Sequence, residues 1–130
     1  MKSALFFVLA LAVMGSWCNP KHTSPEEPLA FRAPDLMSEY LRDTAAADKK
    51  YKGKQMLISG VVSQANAGDN TVSLRGANSP IYNFVKCHLT PAESAKIGSV
   101  VENQGIVIQG QNDGWDSAYL QISHCVIKGQ

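Results

Sequence analysis

The chain of 130 residues lacks a basic excess: twelve lysines and arginines stand against eleven aspartates and glutamates, giving a formal net charge of +1. Proteins that bind a polyphosphate usually carry a clear surplus of lysine and arginine, because phosphate contacts dominate their affinity. The composition therefore counts against a protein that binds nucleic acid. The length leaves room for one domain.

Catalytic signatures are missing as well. The sequence contains no GxSxG, P-loop or HExxH pattern, and its three cysteines include no CxxC pair of the kind that redox catalysis uses. The adjacent Cys–His pairs at 87–88 and 124–125 cannot converge on one metal ion, because neighbouring residues on a strand point to opposite faces. We therefore expect a protein that is not an enzyme and has neither a cofactor nor a metal site.

Apolar runs are short. The run Ala4–Met14 has eleven residues, whereas a helix that crosses a bilayer needs roughly 20. With Lys2 before it and the small residues 15–16 after it, the run is typical of an export signal. We interpret residues 1–18 as a signal peptide and expect a periplasmic or cell-surface protein. Three outcomes stay open: cleavage near 15–16, lipidation of Cys18, or an uncleaved signal that anchors the protein in the membrane.

The part after the leader begins with a linker and a helix. Residues 19–33 hold three prolines and no periodicity, a composition typical of a linker. From Pro34 to Tyr51 the apolar residues fall on one stripe, and Gly53 supplies a stop, so we predict one amphipathic helix. Residues 34–130 would then form a single unit, the N-terminal helix followed by a β-rich domain.

Five strands and one short helix are predicted after Gly53 from alternating apolar positions and the turns between them. The strands cover residues 54–63, 71–75, 81–89, 100–109 and 119–127, and the short helix lies between the third and fourth of them. Gly60 would allow a bulge or bend in the first strand, and Gly110–Gly114 would form the last turn. Three strands, a helix and two strands is the order of a five-stranded OB-type Greek-key barrel, so we expect an all-β fold with accessory helices.

Several segments resemble the family of exported bacterial OB-fold proteins called tRNA-anticodon-binding-like. They are AADKKYKGK at 46–54, the glycine of ISGVV, Val85–Cys87 and His124–Ile127. The resemblance covers residues 35–128 and implies an OB barrel with the first helix packed on it. The family name reports a likeness of fold and implies no particular ligand.

Cys87 and Cys125 lie on the third and fifth predicted strands, which are neighbours in an OB barrel. In an oxidising compartment such a pair is expected to form a disulfide. The alternation of the fifth strand, in which Leu120 points inward, turns Cys125 outward. Both thiols can face the core only if a bulge falls near Ser123 and His124. Two buried free thiols are the alternative.

The candidate ligand-binding residues lie on the outer face of the second and third strands, where OB domains commonly bind. Tyr82, Phe84 and Lys86 alternate with the inward positions of the third strand. Arg75 lies on the matching face of the second, and Trp115, in the predicted loop between the last two strands, would form a rim. Aromatic and basic side chains interleaved in this way are typical of a stacking platform. Alternatively, Tyr82 and Phe84 pack beneath the N-terminal helix.

We therefore predict a noncatalytic exported module that binds a small ligand or another envelope protein. The alternative is an exported binder of single-stranded nucleic acid or oligonucleotides that uses the outer face of strands two and three. Because the charges balance, nucleic acid is the less expected partner. Contact with a membrane would come only through an uncleaved signal or a lipidated Cys18.

Overall fold

The computed structural model of the protein describes residues 27–76, 84–117 and 119–130. In chain order its elements are β1 (Leu29–Arg32), α1 (Ala33–Arg42), α2 (Thr44–Tyr51), β2 (Gln55–Asn66), β3 (Thr71–Arg75), β4 (Phe84–Leu89), a 3₁₀ helix (Pro91–Ser99), β5 (Gly105–Asp116) and β6 (Tyr119–Gly129). The predicted signal peptide with Cys18, most of the predicted linker, and Tyr82 lie outside these residues. No helix in the described part is long and apolar enough to cross a membrane.

Strands β2 to β6 close into a barrel. Neighbours around the ring follow the order β2-β3-β4-β6-β5, and β5 pairs with β2 to complete it. The β4–β6 pairing is parallel, and the other pairings of the ring are antiparallel. Closure pairs the backbone of each of these strands on both sides, which removes the exposed edges of an open sheet. The prediction of an OB-type barrel with accessory helices is confirmed.

The two ends of the barrel are covered by different helices. At one end the 3₁₀ helix precedes β5, and Glu93 Oε2 accepts a hydrogen bond from the backbone N of Ile127 near the end of β6 (3.1 Å). At the other end, α1 reaches the last residues of β5, where the Tyr40 hydroxyl accepts a hydrogen bond from Asn112 Nδ2 (3.0 Å) and the Tyr40 ring stacks on Trp115. The apolar core is therefore sealed by both helices, and each fully buried large side chain contributes about 1.5–3 kcal/mol.

The predicted N-terminal helix is two helices. Asp43 separates α1 from α2 with an extended backbone (φ −158°, ψ 94°), and its Oδ1 accepts a hydrogen bond from the backbone N of Ala46 (3.0 Å). Aspartate is a strong N-cap and a poor residue for a helix interior, so it starts a new helix at this point. Tyr40 is fully buried while Leu41 is 49% exposed, so the apolar stripe does not continue unbroken as predicted.

The end of the predicted linker is a strand. Residues Leu29–Arg32 pair in parallel with the segment Met56–Ser59 of β2, outside the ring of the barrel. The prediction of an irregular linker over 19–33 is therefore wrong for these four residues. A strand this short shows no alternation that a sequence could reveal, and here its partner lies more than twenty residues away.

Gly60 does not carry the bulge that was one of its two predicted roles. It pairs regularly with Ile106, and the bulge in β2 falls between Val62 and Gln64 instead. A Cβ at position 60 would lie 3.0 Å from the Cβ of Ala33. Glycine here lets the start of α1 approach the barrel wall closely.

Strand β5 is longer and later than predicted. It covers Gly105–Asp116 rather than 100–109, and the predicted turn Gly110–Gly114 lies inside it. β6 begins at Tyr119, so residues 117–118 alone connect the last two strands, and this loop is shorter than predicted. This shift changes the environment of Trp115, as described below.

Candidate ligand-binding face

The outer faces of β3, β4 and β6 form one continuous surface, which we call the ligand face. Strand register aligns its outward side chains in two rows. The first row is Arg75, Phe84 and Tyr119, and the second is Ser73, Lys86 and Gln121. Two of these strands, β3 and β4, are those whose outer face was predicted to bind a ligand. The third, β6, was not part of that prediction and lies beside β4 in the barrel.

Phe84 and Tyr119 form the aromatic centre of the ligand face. Their ring centroids lie 6.2 Å apart with an interplanar angle of 16°, an arrangement typical of stacked aromatic pairs. Lys86 Nζ lies 5.6 Å from the centroid of the Tyr119 ring, within the range of a cation–π contact. Tyr119 is 37% exposed, so part of the pair remains open to a further planar group.

A depression with a volume of about 140 Å³ borders the aromatic pair. It is lined by Ser63, Gln64, Asn66, Asp69, Thr71, Ser73, Phe84, Lys86 and Tyr119. Two rings, one ammonium and one carboxylate therefore meet several uncharged hydroxyl and amide groups. Such a set can stack on one planar ring and hydrogen-bond to its edge.

The turn between β2 and β3 fixes the polar side of the depression. Asn66 Oδ1 accepts hydrogen bonds from the backbone N of Gly68 (2.9 Å) and of Asp69 (3.3 Å), and Asn66 Nδ2 donates one to Asp69 Oδ2 (3.1 Å). The turn ends at Asn70, whose φ of 55° is one that asparagine tolerates well. The Asp69 carboxylate is thereby held at the rim, where it disfavours a phosphate on that side.

Polar contacts also hold the remaining outward side chains of β4. His88 Nε2 lies 2.6 Å from Gln121 Oε1, which joins β4 to β6 on the outer side. At the opposite border the Arg75 guanidinium donates a hydrogen bond to Asn103 Oδ1. Lys86 is therefore the cation beside the aromatic pair, whereas the Arg75 guanidinium lies at the border of the ligand face.

The predicted ligand-binding residues do not all lie together in the structure. Arg75, Phe84 and Lys86 lie together on the ligand face, and Tyr82 lies outside the described residues. Phe84 stacks on Tyr119 and lines the depression, so it does not pack beneath the N-terminal helix, which was the alternative.

Trp115 is not at a loop rim, so that part of the prediction is wrong. It lies in β5 and stacks on Tyr40 with a centroid distance of 6.2 Å and an interplanar angle of 17°. Its backbone N donates a hydrogen bond to Asp48 Oδ1 of α2 (3.2 Å). The later position of β5 moves Trp115 into the contact between the helices and the barrel, where it packs against the core.

Apart from Phe84 and Lys86, the residues that line the depression were not among the predicted site residues. Tyr119 has a signal: it precedes the inward Leu120, and strand five lies beside strand three in an OB barrel. Its outward side chain could therefore have been placed next to Phe84. Gln64, Asn66 and Asp69 have no such signal, because the bulge in β2 determines which way this segment faces.

Cys87 and Cys125 are buried and not bonded to each other in the structure. Strand β6 places two residues, Ser123 and His124, opposite the single residue His88 of β4, and His124 has a φ of 52°. This is the bulge that both thiols require to face the core. The disulfide itself stays a prediction. In the described part of the chain, no cluster of His, Cys, Asp and Glu is arranged to hold a metal ion.

The carboxylates with shifted pKa values take part in structural contacts. A hydrogen bond from Tyr51 lowers the pKa of Glu39, and a hydrogen bond from Lys96 lowers the pKa of Glu93. Burial raises the pKa of Tyr40, which lies on the buried face of α1. These three groups lie away from the ligand face, which is built for stacking, hydrogen bonding and charge.

A protein-family model described as tRNA_anti-like matches residues 3–125. The chain belongs to the tRNA_anti-like family. This confirms the resemblance of the segments at 46–54, Val85–Cys87 and His124–Ile127. None of the curated proteins matches this tRNA_anti-like chain.

One solved structure shares the fold of this tRNA_anti-like protein. It is a protein from Klebsiella pneumoniae described as a putative nucleic acid-binding lipoprotein. The two superpose with a TM-score of 0.64 and 17% sequence identity, over 78% of this chain and 92% of the other. At this identity the likeness shows the fold alone.

Proposed function

We propose that this tRNA_anti-like protein is a noncatalytic binding module of the cell envelope that takes up a short single-stranded nucleic acid on its ligand face. The Phe84–Tyr119 pair carries the proposal, because stacked aromatic rings on the outer face of an OB barrel are a platform on which a base can stack. Lys86 beside the pair supplies a charge for a phosphate. The description of the Klebsiella protein supports both the ligand class and the envelope location.

The charges of the ligand face limit how much of a strand it can hold. Lys86 and Arg75 can each neutralise one phosphate, while Asp69 repels a phosphate on the far side of the depression. For single strands the logarithm of the binding constant falls with the logarithm of the salt concentration with a slope of about −0.7 per neutralised phosphate. We therefore expect weak binding with a slope of about −1.4, which is shallow for a nucleic-acid binder and consistent with the balanced net charge.

The test is a titration of a labelled oligonucleotide of about six nucleotides at several salt concentrations between about 20 and 200 mM. Tyr119→Ala should weaken binding about 5–100-fold, because it removes one stacking ring. Lys86→Gln should reduce the slope by about 0.7, because one phosphate contact is lost. Lys49→Gln is the matched control, since Lys49 is an exposed lysine of α2 away from the ligand face.

Two results would contradict the nucleic-acid proposal. One is undetectable binding at the lowest salt concentration. The other is an equal loss in Lys86→Gln and Lys49→Gln, which would mean that the protein attracts the strand through its general charge rather than through the ligand face.

A small uncharged ligand with one planar ring is the second candidate. The Asp69 carboxylate and the uncharged polar lining of the depression favour it, since neither helps to bind a phosphate. Such a ligand should bind with an affinity that does not change with salt or in Lys86→Gln, but falls in Tyr119→Ala. A free nucleoside titrated in parallel with the oligonucleotide separates the two candidates.

We also propose that residues 1–18 direct export and that the barrel acts in the periplasm or at the cell surface. The mass of the product recovered from the envelope tests this and separates the three outcomes. Loss of the leader near 15–16 indicates simple cleavage, and a mass increase from acyl groups on Cys18 indicates lipidation. An intact leader on a membrane-bound product indicates an uncleaved anchor, whereas an intact leader on a cytoplasmic product would contradict export.

A further inference from the structure

We propose that Cys87 and Cys125 are joined by a disulfide that ties β4 to β6 directly behind the ligand face. In the structure both are free thiols with fully buried side chains. Their strands are hydrogen-bonded neighbours in the barrel. The inference rests on the packing of the core and is independent of the ligand proposed above.

The backbone of β6 is bent so that Cys125 turns inward. Cys87 is level with Ile122, and Leu89 is level with Cys125, so β6 carries one extra residue in between. His124 in this bulge adopts a φ of 52°, a region that residues other than glycine rarely occupy. An unusual backbone of this kind persists where the surrounding structure requires it, and here its result is to bring the second sulfur into the core.

The neighbouring strand leaves room for that sulfur. Gly110 of β5 faces the bulge, and a Cβ at this position would lie 2.8 Å from Cys125 Sγ. Cys125 Sγ donates a weak hydrogen bond to the backbone O of Ile122 (3.3 Å). The glycine of β5 and the bulge of β6 together make room in the core for the Cys125 sulfur, beside Cys87 of β4.

The environment of the thiols determines when the bond can form. A hydrogen bond with Cys125, together with burial, raises the pKa of Cys87 well above its ordinary value. Both cysteines are fully buried, so an external disulfide cannot reach either sulfur in the closed barrel. The bond must therefore form before the barrel closes. One cysteine thiolate attacks an external disulfide, such as oxidised glutathione, and releases one thiol. The second cysteine attacks the mixed disulfide and releases the other, so two protons and two electrons pass to the external disulfide.

The disulfide would close a loop of 39 residues, counted inclusively, that contains the 3₁₀ helix and β5. A cross-link over a loop of this length restricts the unfolded chain substantially. For a domain of this size we expect the oxidised protein to melt about 10–20 °C higher than the reduced one.

The primary test uses the full chain, exported with its own leader and recovered from the envelope of the producing host. The protein is denatured without a reductant, its free thiols are alkylated, and its peptides are analysed by mass spectrometry. We expect a linked pair of peptides that contains Cys87 and Cys125, with neither residue alkylated. Alkylation of both residues would overturn the proposal, and so would a linkage of either one to Cys18.

A second test measures the melting temperature of the wild-type protein with and without a reductant, so its result does not require a variant to fold. The melting temperature of the exported wild-type protein should fall by about 10–20 °C in a reductant, whereas Cys87→Ala should show no change on reduction. Cys18→Ser is the control and should respond to the reductant as the wild type does. A wild-type protein that melts at the same temperature with and without the reductant would overturn the proposal.

Discussion

The substitution Gly110→Ala tests how closely β5 packs against the bulge of β6. The added Cβ would lie 2.7 Å from Ile122 Cγ2, 2.8 Å from Cys125 Sγ and 2.8 Å from the backbone O of Ser123. All three distances are shorter than real Cβ contacts, and the last obstacle is backbone that cannot rotate away. Overpacking of a core usually costs about 1–3 kcal/mol, so we expect a loss near the upper end, about 3 kcal/mol.

Equilibrium unfolding in urea measures this loss. With a denaturant dependence of about 1–1.5 kcal/mol per molar, the midpoint should fall by about 2–3 M. Gly105→Ala is the matched control, because it lies on the same strand and its added Cβ would meet no atom within 4 Å. That control should change stability by less than about 1 kcal/mol. Equal midpoints for the two variants would refute the close packing between β5 and β6.

Three further substitutions have defined outcomes. Tyr40→Phe leaves the buried Nδ2 of Asn112 without its acceptor and should destabilise the protein by about 1–3 kcal/mol in urea, so unchanged stability would contradict that contact. Asp43→Ala removes the N-cap of α2 and should cost about 1 kcal/mol, measured in the same way; Asp43→Asn, which keeps the capping oxygen, should retain most of it. Because the pKa of Glu93 is lowered in the folded state, its contribution is present above the ordinary glutamate pKa and is lost as the pH falls through the folded value. Stability measured between about pH 5 and pH 3 should therefore fall less in Glu93→Gln than in the wild type, and parallel curves would contradict this.

The barrel could be predicted because its turns and alternation are mostly local. The strand Thr71–Arg75 lies between two turn-rich segments, and its bounds agree with the prediction. The strand Gly105–Asp116 could not be placed in the same way. Gly110 and Gly114 indicate a turn when neighbouring residues alone are considered. In the fold, Gly110 is required by side chains of β6 more than ten residues away, which no local pattern reveals.

The helical region shows the same limit. The apolar spacing from Leu36 to Tyr51 fits one helix, but the Asp43 side chain binds a backbone N–H and ends that helix. The choice between a helix interior and a cap depends on what the two halves pack against. Here α1 covers an end of the barrel while α2 contacts β5, so tertiary packing favoured the break.

Residues of the ligand face could be predicted only where the alternation within a single strand shows which side chains point outward. Phe84 and Lys86 alternate with buried positions of β4, so their outward direction could be read from the sequence. Tyr119 requires knowledge of which strands are neighbours. Asp69 requires the bulge in β2 and the turn that Asn66 holds, and neither follows from residue types alone.

NMR can locate where on the barrel the protein binds its ligand. Amide shifts of the isotope-labelled protein would be followed during titration with a short single-stranded oligonucleotide and, separately, with a nucleoside. If the ligand face binds, the largest shifts should occur at Ser73, Phe84, Lys86 and Tyr119, while the shifts of α1 and α2 should hardly change. Shifts confined to the lysines of α2, or no shift with either probe at millimolar concentration, would contradict binding at the ligand face.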